Sequence, residues 1–127
     1  MIMKKTNTLH YLRFLNLMRT VKQSMPTMVD PIEEQMLNLL GALWYEGKKV
    51  TVLESTALLP EISATTLHRR LKTLRAKGYI AMEMDEADNR VKYVVPAPTA
   101  LEYFFKLGKS LEQARSESTP AQLSLKT

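Results

Sequence analysis

None of the 127 residues is cysteine, so neither a disulfide framework nor thiolate chemistry is open to this chain. Its two histidines, His10 and His68, stand far apart with no cysteine partners, which leaves no metal-site spacing. It has only four glycines and no Gly-rich phosphate loop, and no Ser-His-acid set goes beyond isolated residues. Neither an enzyme nor a bound cofactor is expected. No apolar run approaches the roughly 18 residues a membrane span needs. The N-terminal apolar residues are interrupted by His10, Arg13, Asn16 and Arg19, unlike a secretory signal. These absences read as a soluble, cytoplasmic protein with no membrane partner.

One absence is local. Between Ile62 and Met82 there is no acid, yet five bases stand there: Arg69, Arg70, Lys72, Arg75 and Lys77. The whole chain carries 18 Lys+Arg against 13 Asp+Glu, so without these five the remainder is formally neutral. Clustered cations neutralise phosphates and release condensed counterions, which makes this stretch a candidate polyanion-binding surface. The length and an apolar content of 45% suit one globular domain with an adequate core.

The first helix is expected from about Thr6 to Ser24. Tyr11, Phe14, Met18, Val21 and Met25 recur at coiled-coil spacing, while Leu9, Leu12, Leu15 and Leu17 widen the apolar surface. Its cover could be its own domain or a second subunit. Asp30 caps a second helix that has Pro31 in its first turn and Glu33 and Glu34 at the positive end of its dipole. Ile32, Met36, Leu39, Leu40, Leu43 and Trp44 are its core stripe, and Gly47 ends it. Lys48 to Val52 is an extended link. Thr51 and Glu54 have capping-box spacing for a brief helix to Leu58 or Leu59, stopped by Pro60. After a turn at Glu61 and Ile62, Ser63 caps a helix that runs to Lys77 and ends at Gly78. Two strands follow, Tyr79 to Met84 and Val91 to Val95, around a polar loop from Asp85 to Asn89. Pro96 and Pro98 break the second strand. Thr99 and Glu102 have capping-box spacing for a last helix to about Arg115, with Leu101, Phe104, Phe105, Leu111 and Ala114 as its stripe. The tail from Ser116 is polar and is expected to be disordered.

A short helix, a tight turn, a second helix and a hairpin make a winged helix-turn-helix within a mainly α (α+β) fold. On a 100° wheel, Ala64, Leu67, Leu71 and Leu74 face the core. Thr65, Arg69, Lys72, Thr73 and Ala76 lie opposite, with Thr66 and His68 on the shoulders. Arginine grips guanine O6 and N7 as a fork, threonine and serine touch base edges, and lysine neutralises phosphate. Arg69 is the first candidate for base reading. Arg70 and Lys77, nearer the core margin, suit phosphate contact or ordinary salt bridging.

The run from Ser63 through Arg69-Arg70-Leu71 and Lys77-Gly78 to Ile80 resembles the recognition helix of the multiple-antibiotic-resistance regulator (MarR) family of winged-helix transcription factors. Asp88-Asn89-Arg90 is similar to the family's wing motif. The resemblance implies a DNA contact by Arg90, with Asp88 positioning it. It also implies a homodimer built from the N- and C-terminal helices on a pseudo-palindromic double-stranded DNA site, with half-sites about one helical turn apart. A small lipophilic effector in a crevice is a further implication; Tyr11, Trp44 and Tyr45 could line such a crevice, but core packing is expected of all three. The sequence departs from the pattern where Pro98-Thr99 stands in place of Leu-Thr, and in the acidic Glu83, Asp85 and Glu86 of the wing.

The expected organisation is a dimerisation helix at 1–29, a DNA-binding domain at 30–98, a second dimerisation helix at 99–115 and a tail at 116–127. The DNA-binding set is Ser63, Thr65, Thr66, His68, Arg69, Lys72, Thr73 and Arg90, in a nucleoid-associated regulator. Two other readings are a winged-helix protein-interaction module and a phage or plasmid replication-control protein.

Overall fold

A computed structural model of the chain describes residues 2–116, with side chains from Lys4 onward. Its elements in order are α1 (Ile2–Ser24), α2 (Pro31–Tyr45), β1 (Val50–Thr51), α3 (Val52–Ser55), α4 (Ala64–Ala76), β2 (Ile80–Met84), β3 (Lys92–Pro96) and α5 (Pro98–Ser116). They group into two compact units. Of the described residues, one holds 2–26 and 103–116, and the other is Thr27–Glu102. Among the described residues, no helix is long and apolar enough to cross a membrane.

The Thr27–Glu102 unit is organised by helix caps that satisfy otherwise orphaned amides. Asp30 and Glu33 form a reciprocal capping box on α2, and Thr51 and Glu54 form another on α3. Ser63 accepts from the Thr66 amide at 3.2 Å and starts α4. Gly78, at φ +85°, lets the chain leave α4 and turn into β2. Strand order is β1-β3-β2, all antiparallel, with Val50 opposite Val94 and Ile80 opposite Pro96. The core takes Met36, Leu37 and Leu40 from α2, Leu67, Leu71 and Leu74 from α4, and Val50, Ile80 and Val94 from the sheet. Each fully buried leucine contributes roughly 1.5–3 kcal/mol.

Several expectations are corrected here. The buried stripe of α2 is Glu33, Met36, Leu37 and Leu40, while Leu39 is exposed. The stripe follows i, i+3, i+4, i+7, which turns Leu39 outward. The brief helix ends at Ser55 rather than at Leu58 or Leu59. From Thr56 to Leu58 the amides bond three residues back instead of four, a tighter turn in place of α-helix. Ala64, read as core, is exposed in the first turn of α4. Pro96 is the last residue of β3 rather than its breaker, and Pro98 is the first residue of α5. Proline's fixed φ suits a helix start, so α5 begins before Thr99, which lies within the helix rather than at its cap.

In the other unit, Arg13 of α1 donates a hydrogen bond to the Ala114 carbonyl of α5. Leu9, Tyr103 and Ala114 are buried, whereas Tyr11, Leu12, Phe105 and Leu111 are exposed. Of the expected α1 seam, Tyr11 is exposed, Phe14, Met18 and Val21 are half-buried and Met25 is buried, while Leu9, expected away from the seam, is buried as well. Phe105 and Leu111, expected in the apolar stripe of α5, face outward. Of the expected tail, Ser116 closes α5, and the rest lies outside the described residues.

Candidate nucleic-acid interface

Helix α4 buries a leucine stripe and turns a basic face to solvent. Leu67, Leu71 and Leu74 are at most 1% exposed, while Thr65, His68, Arg69 and Lys72 stand in solvent. The five bases of this segment divide unequally. Arg70 lies 2.7 Å from the Asp30 carboxylate, and Lys77 lies 2.7 Å from the fully buried Glu33. Arg69, Lys72 and Arg75 are exposed, and no carboxylate among the described residues bridges them. The outward positive charge is thus three residues, not five.

The hydroxyl groups are less free than their wheel positions suggest. Ser63 donates to the Thr66 hydroxyl at 2.9 Å while accepting from the Thr66 amide, so this pair builds the cap. Thr73 is half-buried and donates to the Arg69 carbonyl at 3.1 Å. Thr65 is exposed on the outer face.

The hairpin loop is built from two aspartates. Asp85 accepts from the Ala87 and Asp88 amides at 3.0 and 3.1 Å, and from the Tyr93 hydroxyl at 2.7 Å. The Tyr93 hydrogen bond, then the Ala87 amide, holds the Asp85 carboxyl below the usual carboxylate range. The same bond pushes the Tyr93 phenol up. Asp88 accepts from Arg90 Nε at 3.1 Å, from Nη2 at 3.2 Å and from the Arg90 amide at 3.0 Å. The Arg90 guanidinium, with its amide adding to the effect, lowers the Asp88 carboxyl as well. Arg90 itself remains about 90% exposed. Of the acidic residues in this wing, Asp85 and Asp88 order the loop, while Glu83 and Glu86 face solvent.

A cleft of about 570 Å³ brings the predicted residues His68 and Arg90 to one place. Thr51, Leu53 and Thr56 line it from the α3 side, and Lys92 lines it from β3. Lys92, Leu53 and Arg75 were not predicted as site residues. Lys92 was legible as a cation beside the wing loop, and Arg75 as a member of the basic run. The three aromatics that could line an effector crevice divide. Trp44 is half-buried and donates from Nε1 to the Val94 carbonyl at 3.0 Å, the behaviour of an anchor. Tyr45 and Tyr11 are exposed, against the expectation of core packing. Tyr45 is the last residue of α2, beyond its buried stripe.

No protein-family profile matches the chain, and no curated protein matches it significantly. Solved structures do. The transcriptional regulator Tm0710 from Thermotoga maritima aligns over 88% of this chain and 71% of its own, at 20% identity and a TM-score of 0.60. The heme sensor protein PefR from Streptococcus agalactiae, in complex with heme, aligns over 90% and 76%, at 19% identity and 0.54. A probable transcriptional regulator from Pseudomonas aeruginosa aligns over 98% and 83%, at 22% identity and 0.50. The fold is that of the MarR-like regulators. In a MarR-like fold α3 and α4 are the helix-turn-helix and β2–β3 the wing, so the exposed face of α4 and Arg90 belong to two parts of one motif.

Proposed function

We propose that the chain is a sequence-specific regulator of transcription that binds double-stranded DNA as a homodimer on a pseudo-palindromic site. Helix α4 enters the major groove, whose width accepts an α-helix. Arg69 reads a base edge, Lys72 neutralises phosphate, and Thr65 and His68 make polar contacts beside them. Ser63 and Thr66 fix the start of the helix and present its amides to the backbone, and Thr73 borders the contact surface. Arg90, held by Asp88, reaches the neighbouring groove or backbone.

The observation that carries this reading is the state of Arg69 and Lys72. Both are exposed and unbridged by any described carboxylate, on a helix whose opposite leucine stripe is fully buried. The homodimer is supported by Tyr11, Phe105 and Leu111, apolar side chains at least 56% exposed in the unit that holds α1. A small lipophilic effector belongs to the same reading, since one structural neighbour is a heme sensor.

Selection of random duplex DNA by the purified protein at two salt concentrations tests the proposal. The expected product is an inverted repeat with half-sites about 10 base pairs apart, or a multiple of that. Binding that weakens with salt but enriches no sequence would contradict it.

A further inference from the structure

The C-terminal end of α4 is fastened to the segment by which the chain enters the Thr27–Glu102 unit. Thr27 donates its hydroxyl to the Lys77 carbonyl at 3.2 Å. Lys77 Nζ donates to the Met28 carbonyl at 2.8 Å and to Glu33 Oε1 at 2.7 Å. The Tyr79 hydroxyl donates to the Thr27 carbonyl, and Arg70 bridges to Asp30. Five polar contacts thus join residues 27–33 to residues 70–79. Glu33 and Tyr79 are at most 1% exposed, so neither can touch a ligand.

Such density exceeds what a helix end needs. A Gly at positive φ already supplies the exit, and the Tyr79 and Gly78 amides already return to the Leu74 and Arg75 carbonyls. Lys77 also brings a charge against a buried carboxylate, an arrangement whose desolvation cost offsets much of its attraction. A buried polar bond set of this kind rigidifies one geometry, which suits positioning.

We infer that Glu33 and Tyr79 are positioning residues that set the pose of α4 for nucleic acid, acting through Lys77 and Thr27. This inference rests on the DNA-binding reading above. The latch ties the helix end to residues 27–33 of the same unit. Glu33 does two jobs with one oxygen, because Oε1 also accepts from the Asp30 amide in the α2 capping box.

Two buried substitutions test it without removing any exposed cation. Glu33→Gln keeps a capping-box acceptor while deleting the charge that holds Lys77. Tyr79→Phe deletes only the hydroxyl. Each is expected to weaken binding of the duplex selected by the wild type by roughly three- to tenfold. The slope of log affinity against log salt should stay unchanged, because no phosphate contact is lost. The double variant should lose less than the product of the two single losses, since both act on one latch. Hydrogen exchange should rise together at residues 27–30 and 76–79. Folded variants that bind the selected duplex as tightly as the wild type would overturn the inference while leaving the DNA reading intact. A wild type that selects no duplex would overturn the DNA reading and, with it, the role assigned to the latch.

Discussion

Asp88 grips Arg90 through both carboxylate oxygens, at 3.1 and 3.2 Å, and leaves the guanidinium almost entirely in solvent. A long side chain at a loop tip would otherwise sample many rotamers, and immobilising one costs about 0.5–1.5 kcal/mol on binding. Asp88 has met part of that cost in advance. Arg90→Ala should therefore lower affinity for all duplexes and reduce the salt slope by about one contact. Asp88→Ala should lower affinity more modestly and leave the slope unchanged. Fluorescence anisotropy across a salt series separates the two.

The wing has a defined pH window. The folded-state values of Asp85 and Asp88 are depressed, so their stabilisation is full above the ordinary carboxylate value and is lost as pH falls through the lowered values. The Tyr93 phenol is raised, so its contribution is full below the ordinary tyrosine value and is lost as pH rises through the raised one. Amide protection at Ala87 and Asp88 should be flat through neutral pH and should fall at both extremes. Tyr93→Phe should abolish the alkaline loss and begin the acid loss at higher pH.

Two glycines should respond with opposite signs. At Gly78, φ is +85° and an added Cβ would meet Thr99 Oγ1 at 3.3 Å. Gly78→Ala should destabilise by about 1–2 kcal/mol, the penalty of a left-handed residue. Gly108 lies within α5 and a Cβ there would meet nothing within 4 Å. Gly108→Ala should stabilise by about 0.5–1 kcal/mol, since it gains helix propensity without a clash. Urea unfolding of the two variants reads both signs.

The exposed apolar side chains of the α1 unit set the oligomeric state in this account. Phe105→Glu and Leu111→Glu each place a charge where a second subunit is proposed to pack. Sedimentation should show the wild type as a dimer and the double variant as a folded monomer. A wild-type monomer at micromolar concentration would contradict the homodimer.

Local signals made much of this fold legible. Asp30, Thr51 and Ser63 are caps, Gly78 is a stop, and the leucines of α4 point inward, all within a turn or two of the residues that announce them. Part of what was missed depends on contacts distant in sequence. Glu33 has the chemistry of a first-turn acid, and only the arrival of Lys77, 44 positions away, accounts for its burial. The same pairing, and that of Arg70 with Asp30, removed two cations from a surface that composition alone counted as five. Pro98 was read as a breaker because proline both ends and starts elements, and neighbouring sequence does not decide between the two. On the site, Arg69 and Lys72 stood where the wheel put them, whereas Ser63 and Thr66 bonded each other, a choice that periodicity does not report.

The claim beneath all of this is that the outward face of α4 reads bases, with Arg69 at its centre. The direct measurement compares wild type and Arg69→Ala on the selected duplex and on a scrambled duplex of equal length, at one salt concentration. The account predicts a loss of about 1–3 kcal/mol on the selected duplex and a much smaller loss on the scrambled one, so that the preference narrows. An Arg69→Ala protein that keeps the full preference would contradict it.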